Sequence, residues 1–150
     1  MKETKSAMQL ALAAARDAGA QGEVPVGAVI LSANGDLLAT SGNQMRALAD
    51  PTAHAEIQVI RAAAKKLGRA RLDECDLYVT LEPCAMCAGA IALARIRRLY
   101  YGASDAKRGA VEHGICLFDQ PSCHHKPDIY SGFEEEACAA LLTDFFKQRR

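Results

Sequence analysis

Residues 77–94 read LYVTLEPCAMCAGAIALA, and this stretch decides the fold class. Its first five residues are apolar and rich in β-forming types, which predicts a buried strand. Glu82-Pro83 then ends the strand, and proline is favoured in the first turn of a helix. The residues from Ala85 to Ala94 are apolar on every side, which predicts a helix buried over most of its surface. A strand that leads directly into a buried helix is a unit of layered α/β folds.

Strands and helices alternate along the rest of the chain. The further predicted elements are a helix over 6–18, a hairpin of strands 27–31 and 37–40 around Asn34-Gly35, a helix after Asp50-Pro51-Thr52, strands at 98–102 and 128–131, and a last helix over 133–148. The second helix is expected to carry Ile57, Ile60, Ala64 and Leu67 on one face. The last helix is expected to carry Cys138, Leu141, Leu142 and Phe145 on one face. This order predicts one domain over residues 1–150, with a mixed sheet covered by helices on both faces.

Composition excludes several classes of protein. Hydrophobic residues make up 50% of the chain and charged residues 24%, which excludes a disordered or collagen-like protein. Eighteen basic residues balance eighteen acidic ones, so we expect no basic coat for non-specific nucleic-acid binding. No apolar run is long enough to span a membrane, and the first six residues lack a signal-peptide core. We therefore expect a cytoplasmic protein whose six cysteines bind metal or remain buried thiols.

Two short motifs provide candidate metal ligands. His54-Ala55-Glu56 stands at the predicted start of the second helix, and Pro83-Cys84-Ala85-Met86-Cys87 stands at the start of the third. Cys84 and Cys87 are three residues apart and therefore share one face of a first helical turn. A helix N-terminus lowers the pKa of a thiol, and two thiolates with one imidazole suit Zn²⁺. Glu56 would then lie beside the metal without binding it, placed to move protons.

Other interpretations of the cysteines stay open at this stage. A structural zinc site normally has four protein ligands, and a fourth could come from Cys75, Cys116, Cys123, His124, His125 or Cys138. The segment Cys123-His124-His125 could also hold a second metal. A redox-active pair of cysteines would leave His54 and Glu56 unexplained. The pairing of His-x-Glu with Pro-Cys-x-x-Cys favours a catalytic zinc site over both alternatives.

The combination of H-x-E with P-C-x-x-C resembles the signature of zinc-dependent nucleobase deaminases. Four longer stretches are similar to the bacterial tRNA adenosine deaminases of that superfamily: 23–29 (EVPVGAV), 50–56 (DPTAHAE), 77–89 (LYVTLEPCAMCAG) and 138–146 (CAALLTDFF). These stretches are spread along nearly the whole chain. The resemblance implies a three-layer α/β/α, cytidine-deaminase-like fold with a mixed five-stranded sheet, and it implies a homodimer.

The same resemblance implies an enzyme that hydrolytically deaminates adenosine to inosine at the wobble position of a tRNA anticodon. His54, Cys84 and Cys87 would hold one Zn²⁺ per subunit. A zinc-bound hydroxide would attack C6 of the adenine, with Glu56 as the catalytic proton shuttle. The implied partner is a tRNA anticodon stem-loop, and no membrane is involved.

The residues that the resemblance assigns to substrate binding are Asn43, Val26, Ala55, Asp105, Lys107 and His125. Asn43 would hydrogen-bond the flipped nucleotide and Val26 would line the pocket, although these residue types also suit a turn and a core. Asp105 and Lys107 match a family segment that approaches the anticodon loop. The positions that depart from residues common in the family are Ser104, Gln44, His124 and Lys126. These departures bear on RNA contacts and leave the deamination chemistry intact.

Two other functions remain to be weighed against this one. A deaminase of a free nucleobase or nucleoside (guanine, cytosine or cytidine) would use the same fold and metal site, because a fold does not fix a substrate. A non-enzymatic, zinc-stabilised RNA-binding module would have a fourth protein ligand on the metal and no need of Glu56.

Overall fold

Five strands form one mixed sheet, and four helices cover it. The computed structural model describes residues 2–149. Its strands are β1 (Gly27–Leu31), β2 (Leu37–Gly42), β3 (Asp76–Leu81), β4 (Arg98–Ala103) and β5 (Asp128–Ser131). Its helices are α1 (Lys2–Ala20), α2 (Ala55–Leu67), α3 (Ala85–Ala94) and α4 (Glu135–Gln148), with one 3₁₀ turn at Leu117–Asp119. The predicted alternation is confirmed, and β1 and β5 have the predicted bounds.

The order of strands in the sheet decides where a site can form. The sheet runs β2-β1-β3-β4-β5, with β1 antiparallel to β2 and β3, and with β3, β4 and β5 mutually parallel. Leu81 pairs with Ala103 where β3 and β4 end. The loops after these two strands therefore leave the sheet side by side, at the edge where α/β folds place their ligands.

The helices form two layers, which confirms the predicted three-layer architecture. Helices α1 and α4 pack on one face of the sheet, and α2 and α3 pack on the other. Glycine permits the close approach of α1, since a Cβ at Gly27 would overlap the carbonyl oxygen of Ala11. The main core lies under α2 and α3 and includes Val59, Val79 and Ile91.

The most deeply buried residues of α2 lie beside its predicted apolar face. Ala55, Glu56, Val59 and Ala63 are buried. Of the four residues on the predicted apolar face, Ile57, Ile60 and Ala64 are half-buried and Leu67 is exposed. Val59 and Ala63 follow Glu56 by three and seven residues and share its side of the helix. Ile60 and Ala64 of the predicted face pack against the main core, while Glu56 and the small residues beside it are buried most deeply.

Helix α3 is buried on one face, contrary to the prediction that most of its surface is covered. Cys87, Ala88, Ile91 and Ala94 are buried. Met86 and Leu93 lie seven residues apart on the outer face, and they are 38% and 83% exposed. The described part of this single chain covers only the inner face, although the sequence is apolar all round.

Helix α4 agrees with its predicted pattern. Cys138 is buried, and Leu141, Leu142 and Phe145 are half-buried. None of the described helices combines the length and apolar character needed to cross a bilayer. The assignment of residues 1–150 to one domain stays a prediction, and its two end residues lie outside the described residues.

Candidate active site

The three predicted metal ligands lie together at the start of two helices. His54 is the residue before α2, and Cys84 is the residue before α3. Cys87 follows one turn later and is buried. Its Sγ lies 3.5 Å from Nδ1 of His54, and the Sγ of Cys84 lies 3.7 Å from the same nitrogen. One potential ligand atom from each residue falls within 4.8 Å of the other two.

This donor set fits Zn²⁺. Thiolate and imidazole ligands are those that zinc prefers, and tetrahedral zinc brings such atoms into mutual contact distance. Within residues 2–149, no further His, Cys, Asp or Glu joins the group, so none of the fourth ligands considered from the sequence is present. Three protein ligands with an open fourth position are typical of catalytic zinc rather than structural zinc.

Electrostatics at the two thiols favours metal binding. The hydrogen bond from Cys87, together with His54, lowers the pKa of the Cys84 thiol to about 4 against the effect of burial. Sharing that proton raises the pKa of Cys87, and burial and the Glu56 charge raise it further. A bound Zn²⁺ would take the place of the proton that the two thiols share. Both cysteines would then be thiolates, because thiols that coordinate Zn²⁺ are deprotonated.

Glu56 is the buried carboxyl group of the site. It lies in the first turn of α2 and is 4% exposed. Its pKa is raised to about 7, mainly by burial and also by the charge of Cys84, while hydrogen bonding and His54 oppose the rise. A carboxyl group with a pKa near neutrality both accepts and donates protons readily, which is the property of a general acid-base catalyst.

Asn43 fixes the start of α2 beside this carboxyl group. It is buried, and its Oδ1 accepts a hydrogen bond from the backbone N–H of Ala55 at 2.8 Å. Its Nδ2 donates to the carbonyl oxygen of Val24 at 3.1 Å. The side chain therefore ties the segment before β1 to the helix that carries Glu56. One N–H and one lone pair of the amide remain beyond these two bonds.

Asn43→Ala is expected to lower the free energy of unfolding by about 1–3 kcal/mol, because it leaves the buried N–H of Ala55 without its acceptor. Urea denaturation measures this change. Asn34→Ala is the matched control, since Asn34 is exposed in the hairpin turn and its replacement should have little effect. Equal stability of the two variants would contradict the role of Asn43 in holding α2.

The other predicted substrate residues fall into two groups. Val26 and Ala55 are buried, and Val26 belongs to the main core. Asp105 is half-buried and Lys107 is exposed, and Oδ1 of Asp105 accepts the backbone N–H of Lys107 at 3.1 Å. His125 is half-buried and donates from Nε2 to the carbonyl oxygen of Ile96 at 2.7 Å. This bond gives His125 a structural partner that the sequence did not indicate.

The departures from the family pattern lie on the surface or in loops. His124 is exposed, and its carbonyl oxygen accepts a hydrogen bond from Arg95. Lys126 forms an exposed ion pair with Asp119 at 2.6 Å. Gln44 accepts a hydrogen bond from Gln58 through its side chain, and Ser104 is exposed.

Comparison with known proteins agrees with this site. A family model described as the cytidine and deoxycytidylate deaminase zinc-binding region matches residues 1–103, which include all three ligands and Glu56. This chain belongs to that deaminase family. The three residues that the sequence motifs predicted as zinc ligands come together in the folded chain.

Relatives within the deaminase family are similar along its whole length. The tRNA-specific adenosine deaminase of Agrobacterium fabrum is 57% identical over 150 residues, which cover 100% of this chain and 98% of that protein. The tRNA-specific adenosine deaminase of Bacillus subtilis is 39% identical over 150 residues, covering 100% and 92%.

Among solved structures, a tRNA:A34 deaminase structure is more similar to this chain than a guanine deaminase is. A structure from a study of A-to-I editing by tRNA:A34 deaminases at the wobble position of transfer RNA superposes with a TM-score of 0.90. It is 59% identical to this chain, covering 91% of this chain and 99% of that one. The guanine deaminase of Bacillus subtilis superposes with a TM-score of 0.64 at 33% identity, covering 96% and 92%.

Three buried carboxylates of this deaminase chain, Glu23, Asp76 and Glu82, were not assigned a role from the sequence. Glu23 accepts the backbone N–H groups of Arg46 and Ala47 at 2.9–3.1 Å. Glu82 accepts four backbone N–H groups and one histidine N–H from the loop after β4. Burial alone would raise the pKa of Glu82, but the hydrogen bonds from this loop and from His113 lower it below its usual value. The only signal in the sequence was an acidic residue directly after an apolar strand.

Proposed function

We propose that this chain is an enzyme that hydrolyses adenosine to inosine and ammonia at the wobble position of a tRNA anticodon. The observation that carries the proposal is the placement of a buried carboxyl group, Glu56, beside the ligand atoms of His54, Cys84 and Cys87. This arrangement supports hydrolytic deamination. The choice of substrate is supported by the 57% identity to a tRNA-specific adenosine deaminase, against 33% to a guanine deaminase.

The chemistry divides between the metal and Glu56. His54, Cys84 and Cys87 would hold Zn²⁺, which would supply Lewis-acid activation of a water molecule. Glu56 removes a proton from that water and delivers it to N1 of the adenine. It then transfers the second proton to the amino group on C6, which leaves as ammonia. Burial helps both proton transfers. Because the pKa of Glu56 is raised to about 7, its protonated and deprotonated forms are both accessible at neutral pH.

The remaining site residues act on the substrate. Asn43, already tied to Ala55, directs its free N–H and lone pair to the flipped nucleotide, and Val26 closes the wall of the pocket. Asp105 and Lys107 contact the anticodon loop, and His125 supports the neighbouring loop while contacting RNA. A chain with no net charge has a small phosphate footprint, which suits one stem-loop in which the target base is already exposed. We place the reaction in the cytoplasm, where anticodons are read.

The proposal is tested by measuring ammonia release from an anticodon stem-loop with adenosine at the wobble position. Free adenosine, guanine, cytosine and cytidine are assayed in parallel with the same zinc-loaded protein. We expect release from the stem-loop only. Release from a free base or nucleoside with an inert stem-loop would replace the proposal by the small-molecule deaminase, which the likeness to guanine deaminase makes the second candidate.

We further propose that two copies of the chain associate through the outer face of α3. Met86 and Leu93 form an exposed apolar pair on a helix whose inner face is already in the core. Apolar surface of this kind marks interfaces between proteins. The same helix carries Cys87, so an interface here would lie next to the metal ligands of each copy.

Leu93→Asp is expected to convert the dimer into monomers, because it places a charge in the centre of the proposed apolar interface. Sedimentation velocity measures the change in mass. Leu10→Asp is the matched control, since Leu10 is an exposed leucine on α1, which covers the opposite face of the sheet. A dimer that persists in Leu93→Asp, or a wild-type monomer, would contradict this interface.

A further inference from the structure

We infer that Glu82 is a positioning residue that fixes the segment 105–113 against the metal-ligand loop and so sets its contacts with RNA. This inference rests on the proposed function for the RNA contacts, and on the hydrogen bonds alone for the anchoring. The side chain of Glu82 is fully buried, with 0% of its surface exposed. Its partners come almost entirely from one segment, which lies 23 to 31 residues further along the chain.

The carboxylate binds this segment at both ends. Oε1 accepts the backbone N–H of Asp105 at 3.0 Å and Nδ1–H of His113 at 2.7 Å. Oε2 accepts the backbone N–H groups of Val111, Glu112 and His113 at 3.1, 3.0 and 3.1 Å. One buried side chain thereby closes the loop between its first and last residues.

The same segment contacts the backbone around the metal ligand Cys84. The N–H of Ala110 donates to the carbonyl oxygen of Pro83 at 2.9 Å, and Gly109 forms a β-bridge with Cys84. A Cβ at Gly109 would lie 2.6 Å from Oε2 of Glu82, so the segment fits only without a side chain at this point. The position of the loop is therefore coupled to Glu82 on one side and to the ligand loop on the other.

The exposed part of the segment carries two basic residues. Oδ1 of Asp105 accepts the backbone N–H groups of Lys107 and Arg108 at 3.1 and 3.0 Å, which turns the chain outward at this point. Both basic side chains belong to exposed residues. Glu82 thus acts on RNA through the segment: it fixes the base of a loop whose tip presents cations beside the site.

Glutamine cannot replace Glu82 in this role. A carboxylate offers two acceptor oxygens, whereas an amide offers one oxygen and an NH₂ group that faces N–H donors. Either orientation of the amide leaves at least one backbone N–H of the segment without an acceptor. Buried donors without partners are costly, so the loop should leave its position rather than remain unsatisfied.

The test compares Glu82→Gln with Asp76→Asn in the zinc-loaded, full-length protein. Asp76 is a buried carboxylate at the opposite end of β3 from Glu82, and it pairs with Arg97 at 3.0–3.1 Å. The readouts are KM and kcat on the anticodon stem-loop, zinc content, and the rate of tryptic cleavage after Lys107 and Arg108. The cleavage rate measures how firmly the segment 105–113 is held, even in a variant that has no deaminase activity.

We expect Glu82→Gln to raise KM about tenfold or more, with zinc retained and kcat changed far less. Trypsin should cut its 105–113 segment faster than in the wild type. Asp76→Asn should lose thermal stability, with KM and loop cleavage as in the wild type. Gly109→Ala, which keeps the Glu82 carboxylate but forces it and the segment apart, should reproduce the effects of Glu82→Gln on KM and cleavage.

Wild-type KM and wild-type cleavage in Glu82→Gln would overturn the inference, as would an equal rise of KM in Asp76→Asn. If Glu82→Gln does not fold, Gly109→Ala decides between the same outcomes. An inert wild type on the stem-loop would refute the proposed function, and the cleavage rates would then still decide whether Glu82 anchors the loop.

Discussion

Glu56→Gln should lose deamination activity by about 10²–10⁴-fold while it keeps one Zn²⁺ per chain. Glutamine has nearly the same shape as glutamate and leaves His54, Cys84 and Cys87 untouched. It cannot accept a proton from water or pass one to adenine. The loss should therefore appear in kcat, with little change in the affinity for the stem-loop. Single-turnover kinetics and metal analysis of the purified protein measure the two quantities.

The control for this variant is Asp76→Asn, a second loss of a buried carboxylate. Asp76 pairs with Arg97 at the far end of β3, so its replacement should leave kcat near the wild-type value. A Glu56→Gln protein that retains wild-type kcat would favour the non-enzymatic zinc module. Loss of zinc together with activity would make Glu56 part of the metal site instead of a proton carrier.

Cys84→Ser should lose both bound zinc and activity. Serine removes one of three ligand atoms, and its hydroxyl does not ionise at neutral pH as the Cys84 thiol does. Replacing even outer partners of a metal ligand costs about 10–100-fold in affinity, so loss of a ligand itself should cost more. Zinc content after dialysis against a weak chelator measures the effect.

Cys123→Ser is the matched control for the ligand variant. Cys123 is half-buried and donates from Sγ to the carbonyl oxygen of His125, away from the three clustered ligand atoms. We expect it to retain zinc and activity. If Cys123→Ser loses zinc and Cys84→Ser retains it, the metal centre has been assigned to the wrong residues.

The parts of the fold and site that local sequence determines were predictable. The GAVIL run of β1 is apolar and β-branched and is followed by a turn pair, so its bounds followed from composition alone. The spacing of Cys84 and Cys87 places both thiols on one helical turn, and helix starts gather ligands at the end of a sheet. His54 was predicted as the third ligand because the H-x-E motif, combined with P-C-x-x-C, is typical of zinc-dependent deaminases.

The parts that depend on contacts distant in sequence were not predictable. The hydrogen-bond partners of Glu82 lie 23 to 31 residues further along the chain, and the residues next to Glu82 in sequence do not indicate them. The burial of Glu56 in the first turn of α2 is also a tertiary feature that the apolar pattern of the helix does not indicate. The exposed face of α3 depends on what a single chain can cover, which apolar composition does not reveal.

Mapping inosine in anticodon stem-loops tests the central claim most directly. Zinc-loaded protein is incubated with one stem-loop that carries adenosine at the wobble position and with another in which that adenosine is moved by one nucleotide. Mass spectrometry of nuclease fragments then locates each inosine. The account predicts inosine at the wobble position alone, and none from the shifted stem-loop. Inosine at both positions, or at neither while a free base is deaminated, would contradict it.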